Sequence, residues 1–563
     1  MRKSLKFLCF TLSASLLLAS CGKTGSSSSN ESSPSSVASE SSSAKDSSSA
    51  DVPDSSSSES SANETVPRVK ADPSQIVYAD NYSFEKLKAE GIEKADFSEI
   101  YEAETAATDG VVLSTSKAGF SGEGYVDISN NPNFELKITV PTSQFYKITV
   151  KHCADSHKEN PLTINGQTVM NIYSEKGDWT ETVVDGIYIA KGENTVSLGS
   201  GWSYFSLDSI KIENGDAMND DIYTRQADTL VNPYASLNAQ NLYQYLKAVY
   251  GKRVIAGQCS NHGTMNEPNA LYNGLGKYPA LCTYDFIFDS WSSCKGMPQG
   301  KDVVLAKQWA KDGGIVAFDW HWYAPSGKSA FYAKDTDFRI ENAMTDFDIS
   351  MLDFPEVQKL YREDKIKIET VMIIADIDNI SKLMQQLEDE DIPVLWRPLH
   401  EASGGWFWWG ASGPENYKWL WKLLYERMTN YHGLDNLIWV WNAQNKDWYV
   451  GDEYCDIIAT DIYNPEHDYS SSADLFAEMG TWSPNGKLIT LSECGVMPDS
   501  DNIIRDNAYW LWFAVWNGEY LLKSGSITEL GDKYTEVSEM QKIYDSELVI
   551  TRDELPEGLK LCK

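Results

Sequence analysis

Two glutamates stand where a pair of carboxyl groups could act on one bond. Glu401 closes the run Trp396-Arg-Pro-Leu-His400-Glu401, which leads into Ala402-Ser-Gly-Gly-Trp406-Phe-Trp-Trp409-Gly410, and Glu493 lies in Ser492-Glu493-Cys494-Gly495. Each follows a short apolar run, Val394-Leu-Trp396 or Leu488-Ile-Thr-Leu491, so each closes a predicted strand. One carboxyl group that protonates a departing oxygen, and a second that attacks the carbon from the opposite face, are what retaining cleavage of a glycosidic bond requires. A single strand-end glutamate is commonly a solvated loop charge. Two of them, both set among aromatic residues, point to that chemistry. Flat aromatic faces suit the apolar face of a sugar ring, and the chain has 19 Trp and 30 Tyr.

The elements that must position this pair repeat along the second half of the chain. Arg253–Gly257, Ala280–Tyr284, Ile315–Phe318, Val394–Trp396, Leu437–Val440, Ile457–Thr460, Leu488–Leu491 and Trp510–Val515 are eight predicted strands. Helical spacing fills the gaps, as in Ile377, Ile380, Leu383, Met384 and Leu387, and again from Tyr417 to Met428. Eight such strands alternating with helices predict an α/β fold, a (β/α)8 TIM barrel over residues 232–563, with Glu401 ending strand four and Glu493 strand seven. Residues 75–213 read differently. Short alternating runs broken by Gly, Asn and Asp, such as Phe145–Val150, Leu162–Gly166 and Thr195–Leu198, predict an all-β sandwich, joined to the barrel by a linker at 214–231.

The start of the chain concerns location. Basic Arg2, Lys3 and Lys6 precede an apolar stretch, Phe7 to Leu18, too short to span a bilayer, so residues 1–20 predict an export signal. Residues 21–74 form a Ser-rich tether that cannot bury enough apolar surface to order itself. With 82 acidic and 48 basic residues the net charge is -34, which repels nucleic acid and anionic membrane surfaces and favours a neutral or cationic partner. No zinc-type Cys/His spacing occurs, and Cys153, Cys259, Cys282, Cys294, Cys455, Cys494 and Cys562 read as buried thiols with one or two disulfides among them, Cys282 with Cys294 the first candidate.

Leu18-Ala19-Ser20-Cys21 resembles a bacterial lipoprotein signal, which implies a lipid anchor at Cys21 and a place on the cell surface or outer membrane, facing outward. The order Tyr101-Glu102-Ala103-Glu104, Gly124-Tyr125-Val126, Leu162–Gly166 and Leu207-Asp208-Ser209-Ile210 resembles a family 35 carbohydrate-binding module, or the related family 6. That resemblance implies a structural Ca²⁺ held by Glu102, Glu104 and Asp208, a set of hard oxygen ligands, and places Trp202 on a ligand-facing loop. The segments ending in Glu401 and Gly410, together with Trp320-His-Trp-Tyr-Ala-Pro325 and the late Ser492–Gly495, resemble glycoside hydrolase family 26 over the whole barrel. Family 26 implies a retaining endo-β-1,4-mannanase, with Glu401 as acid/base, Glu493 as nucleophile and no cofactor for catalysis. His321, His400 and Arg397 would line the site, Tyr463 would donate a hydrogen bond to Glu493, and Trp406 and Trp516 would be sugar platforms. The expected partner is β-mannan and the expected state a monomer. A mixed-linkage β-glucanase or a xylanase on the same barrel is the alternative within enzymes, a non-catalytic surface glycan-binding lipoprotein the alternative outside them; endo or exo action depends on loops the sequence leaves open.

Overall fold

The computed structural model describes residues 68–563 apart from 90–91, 93–95, 107–111, 129–133, 200–203 and 293–298. The expected export signal, Cys21, the tether as far as residue 67, Trp202 and Cys294 lie outside the described residues.

Ten antiparallel strands form the sandwich: β1 (Ser98–Glu102), β2 (Val112–Ser114), β3 (Tyr125–Ile128), β4 (Phe134–Val140), β5 (Gln144–Cys153), β6 (Lys158–Ile164), β7 (Gln167–Ser174), β8 (Thr180–Ile189), β9 (Gly192–Leu198) and β10 (Phe205–Asn214). One sheet runs β2-β3-β10-β5-β8, with β1 also on β10, and the other runs β4-β9-β6-β7. The strict alternation of buried and exposed residues along β4 is the mark of a strand with one face on a core and one in water.

Eight parallel strands make the barrel: β11 (Val254–Cys259), β12 (Leu281–Asp285), β13 (Ile315–Asp319), β14 (Val394–Arg397), β15 (Leu437–Trp441), β16 (Ile457–Ile462), β17 (Leu488–Cys494) and β18 (Trp512–Val515). Neighbours pair in chain order, and β11 pairs with both β12 and β18, so the sheet closes. A short β19 (Val549–Ile550) adds to the start of β11. Every residue of β11 and β17 is buried, because helices cover the outside and side-chain layers fill the inside. The predicted eighth strand begins two residues late, since the Trp510 backbone N–H turns back onto the Ala508 carbonyl, 2.9 Å away, rather than joining the sheet. The helix Pro414–Tyr425 passes into a π-helical turn, Glu426–Tyr431, which carries buried Arg427 onto Asp378 and the carbonyls of Ile349, Ser350 and Leu352.

The segment before β1, read from sequence as tether to 74 and sandwich from 75, takes its partners from the barrel. Arg68 pairs with Asp435, donates to Asn232 at 3.1 Å and lies over the Tyr234 ring. Val77 and Ala79 donate their backbone N–H groups to Asn241 and Gln244 on the helix Leu237–Val249, and Tyr82 and Phe84 pack edge-on against Tyr245. The stretch expected as a linker is docked as well. Tyr223 lies over Gly251, donates to the Asn507 carbonyl at 2.5 Å and packs edge-on against Tyr250. Sandwich and barrel meet where buried Arg505 donates to the Ser143 carbonyl at 2.7 Å and Phe145 joins the barrel core.

The expected disulfides are corrected by the structure: Cys153, Cys259, Cys282, Cys455, Cys494 and Cys562 are all free thiols, five of them buried. Cys282 and Cys494 sit inside separate barrel strands, where apolar packing fills the space a partner sulfur would need. Because Arg68 ties its segment to Asp435, just before β15, and to Asn232, Arg68→Ala is expected to lower stability by about 1–2 kcal/mol, read as a lower Tm with an unchanged circular dichroism spectrum.

Candidate active site

Most of the barrel strands bring a polar or aromatic side chain to the same mouth. Asp285 ends β12, Asp319 ends β13 with His321 two residues on, Arg397 ends β14, Asn442 follows β15, Asp461 lies near the end of β16, Glu493 lies in β17 and Trp516 follows β18. At their centre is the buried Arg397 guanidinium. Its Nη2 donates to Asp319 Oδ2 at 2.8 Å and to Glu493 Oε1, and its Nη1 donates to Asp461 Oδ2 at 3.2 Å. A planar donor fork can serve several carboxylates at once, which a point-charge ammonium cannot do with the same geometry.

Glu493 is aimed by a break in the sheet. The β16–β17 register shifts between Thr460 and Asp461, and the β17–β18 register shifts between Leu491 and Cys494. Ser492 there donates to Asp461 Oδ1 at 2.7 Å, while Glu493 takes the Tyr463 hydroxyl on Oε2, also at 2.7 Å. Tyr463 keeps 41% of its surface exposed, so its ring forms part of the open wall.

Glu401 is held from the next strand. Leu399 and Glu401 both have φ of 54°, a left-handed conformation that side chains other than Gly adopt only when their surroundings compel it. The compulsion comes from Asn442, whose carbonyl accepts from Glu401 N at 2.7 Å and whose side chain accepts from it at 3.2 Å. Trp406, 43% exposed, donates its Nε1 to Glu401 Oε2 at 3.0 Å. Gly404 makes that possible, since a methyl group there would stand 2.0 Å from the Trp406 ring.

Carboxylate oxygens of Glu401, Asp461 and Glu493 lie within 4.8 Å of one another. Inverting glycosidases separate their carboxyl groups by about 6.5–9.5 Å to hold a water, and retaining ones by about 5–5.5 Å. Burial, then the charges of Asp461 and Glu493, push the Glu401 carboxyl well above the usual carboxylate range, against Arg397 and the Trp406 donor, which favours its protonated form. Burial and Glu493 also carry Asp461 up to about 7 despite Arg397, Ser492 and Asn442. Two ligand-like groups occur here, Glu401–Asp461–Glu493 and Asp285–Asp319–His321. Positive charge is already built in: Arg397 joins the two groups, and His321 Nδ1 lies 2.7 Å from Asp285 Oδ2.

The two histidines differ in charge. Burial would lower His321, but Asp285, with Asp319 and Glu493 behind it, raises it to about 9, so it is an imidazolium. His400, ring centroid 4.6 Å away, is pushed far below its usual value by burial and by the charges of His321 and Arg397, and stays neutral. Its Nδ1 is buried without a hydrogen-bond partner. Trp516 is half-buried with its ring 5.9 Å from that of His321. The structure therefore gathers Glu401, Glu493, His321, His400, Arg397, Trp406, Tyr463 and Trp516 at one mouth. Asp285, Asp319, Asp461 and Asn442 belong there too and were missed; the signal was an Asp closing a predicted strand or its extension, as in Thr283-Tyr-Asp285 and Ala317-Phe-Asp319.

In the sandwich, Glu102, Glu104 and Asp208 gather around the loop Ser121–Glu123. Ser121 Oγ lies 2.9 Å from Glu102 Oε2 and 2.8 Å from Asp208 Oδ2, and Glu123 N donates to Glu104 Oε1 at 2.8 Å. Glu104 Oε2 is buried with no partner, whereas Asp208 is matched by Lys151 at 2.7 Å.

Residues 231–554 match the family model for glycosyl hydrolase family 26, and residues 99–215 that for carbohydrate binding module family 35. Mannan endo-1,4-beta-mannosidase B of Piromyces sp is 36% identical over 476 residues, covering 81% of this chain and 77% of the relative. Mannan endo-1,4-beta-mannosidase of Thermothelomyces thermophilus is 32% identical, covering 81% and 90%. The crystal structure of a Podospora anserina GH26-CBM35 β-(1,4)-mannanase superposes with a TM-score of 0.56 at 32% identity, covering 83% of this chain and all of that one.

The Trp406 hydrogen bond favours the ionised form of Glu401, so its loss must raise the Glu401 pKa further. Gly404→Ala, which displaces the indole, is expected to do this, followed by infrared or carbon NMR titration of the Glu401 carboxyl.

Proposed function

The chain belongs to glycosyl hydrolase family 26, and on that premise we propose that Glu401 and Glu493 carry out its reaction. The enzyme is a retaining endo-β-1,4-mannanase, a hydrolase of internal mannosidic bonds in mannan, glucomannan or galactomannan. The observation that carries the assignment is the approach of the two carboxyl groups to within 4.8 Å, one of them held protonated and the other against Arg397.

In the first step a Glu493 oxygen attacks the anomeric carbon while Glu401 gives its proton to the glycosidic oxygen, so the bond to the leaving saccharide breaks as the ester bond to Glu493 forms. Esterification removes the negative charge of Glu493, one of the groups that raised Glu401, while the Arg397 cation that lowers it remains. Glu401 therefore becomes a stronger acid at the moment it must act as base. It takes a proton from water, the water oxygen attacks the anomeric carbon, and Glu493 is released with configuration retained. Tyr463 and Arg397 orient Glu493, and Trp406 orients Glu401 as well as offering a ring to sugar. Trp516 is a second platform, and His321 and neutral His400 face the sugar hydroxyls. These two carboxyl groups need no cofactor. Glu493→Ala is expected to lower kcat on galactomannan by about 10⁴-fold or more while binding to the polymer persists; activity within tenfold of wild type sinks the nucleophile assignment.

The sandwich, matched over 99–215, is a carbohydrate-binding module, and its reading as a calcium-stabilised one rests on Glu104. A buried carboxylate oxygen without a partner, beside Glu102 and the tight turn at Gly122, suits a hard cation. Asp208, already paired with Lys151, would reorient or hold the loop from behind. Millimolar Ca²⁺ should raise the Tm of the sandwich and EDTA reverse it, and Glu104→Ala should remove the effect; the same Tm with and without Ca²⁺ in the parent chain rejects the site. Trp202 is proposed as a ligand contact of this module.

Residues 1–21 are proposed as an export signal with a lipid at Cys21, and among the described residues no helix is long and apolar enough to cross a membrane. The catalytic set is complete within one chain, in keeping with a monomer. Cys21→Ser should shift the enzyme from the membrane fraction to the medium.

A further inference from the structure

Far from the cleft, one aromatic ring on the barrel's outer wall is held as a platform. Tyr272, on the helix Asn266–Leu275, is 48% exposed. Its ring is parallel to that of Tyr278, with centroids 4.4 Å and planes 10° apart. Tyr278 is fixed in turn: the Arg552 guanidinium lies 4.1 Å from its centroid and 4.5 Å from that of Trp309, and its hydroxyl donates to Asn269 Oδ1 at 3.3 Å. Trp309 is buried and bonded to the Ile315 carbonyl at 3.2 Å. An exposed ring held by such a column has little rotamer freedom left to lose on binding.

The helix face that carries the ring is polar and uncharged. Asn269, Tyr272, Asn273 and Gly276 recur at i, i+3, i+4 and i+7, one face of the helix, and both asparagines are exposed. Nothing lies within 4 Å of where a side chain on Gly276 would stand, so the face is open at that end. Lys277 is turned away onto the Tyr544 carbonyl at 2.9 Å. A flat ring flanked by amides fits a neutral hexose, whose ring carbons stack and whose hydroxyls both give and accept hydrogen bonds. The helix leads into β12, which places the ring by the strand starts, at the opposite end of the barrel from Glu401 and Glu493.

We propose that Tyr272, with Asn269 and Asn273, is a second carbohydrate-binding surface on the catalytic barrel, taking a hexose ring of a β-1,4-mannan chain. The polymer's identity rests on the function assigned above; the platform rests on the column beneath Tyr272. Such a site would keep the barrel on an insoluble chain between cuts and would do nothing for a short substrate held by the cleft alone.

The test compares the whole chain with Tyr272→Ala and Tyr272→Phe on mannohexaose, on insoluble linear β-1,4-mannan and in gels containing soluble galactomannan. Tyr272→Ala should keep its Tm and its kcat/KM on mannohexaose, lose about three- to tenfold in rate on insoluble mannan, as the loss of one stacking contact implies, and be less retarded in the gel. Tyr272→Phe should match wild type throughout. Unchanged rate and retardation for Tyr272→Ala overturn the proposal, as does an equal fall on mannohexaose with a lower Tm, which marks a structural role. A wild-type chain inert on mannohexaose faults the reading of the cleft instead, and gel retardation still decides the platform.

Discussion

The buried Arg397 guanidinium is the interaction on which the rest of the active site depends. A cation with almost no exposure to water costs several kcal/mol unless carboxylates surround it. Asp319, Asp461 and Glu493 do so, from three of the barrel strands. Burial and neighbouring carboxylates raise Asp319 and Asp461, and the arginine opposes that rise in both. The strands must therefore close with Asp319, Arg397, Asp461 and Glu493 at one level. A register slip of one residue would point those side chains into the helical layer.

That network also decides where protons reside. Arg397 and the His321 imidazolium are two positive charges facing Glu493, Asp285, Asp319, Asp461 and Glu401, so the negative charges cannot all persist. Burial and the charges of neighbouring carboxylates push Glu401 and Asp319 well above the usual carboxylate range and Asp461 up to about 7. The left-handed backbone at Leu399 and Glu401 is the conformational cost of bringing that carboxyl group to face Glu493, and Asn442 on the neighbouring strand holds it there. In the proposed mechanism two chemically identical groups divide the work because their hydrogen-bond partners differ: Glu493 accepts from Arg397 and Tyr463, Glu401 from Trp406.

Much of this was legible in the sequence because barrel strands have a strong signature. Short buried runs such as Leu488–Leu491 alternate with helical spacing, and the aromatic-rich segment after Glu401 combines exposed Trp406 at the site with Phe407, Trp408 and Trp409 buried in the core. What stayed hidden depends on contacts between distant residues. Asp461 was passed over for Tyr463, two positions on, because nothing local shows that Asp461 faces Arg397, 64 residues away in the chain. The strap that begins at Arg68 looked like the end of a tether, since its partners Asp435 and Asn232 lie far along the chain. The cysteines were read as buried thiols with one or two disulfides among them; five of the six described ones are buried thiols, and all six are free. Trp406 was read as a sugar platform, and its hydrogen bond to Glu401 needed the turn at Gly404 and Gly405 to be seen.

The most direct measurement is to trap the glycosyl-enzyme. An activated 2-deoxy-2-fluoro-mannoside or its manno-oligosaccharide equivalent slows the hydrolytic step, so the sugar accumulates on the nucleophile and can be located by mass spectrometry of a peptic digest. The account predicts one label per chain, on the peptide containing Glu493 and on that residue. A label on Asp461 or Glu401, or no label together with an inverted product by proton NMR, would contradict it.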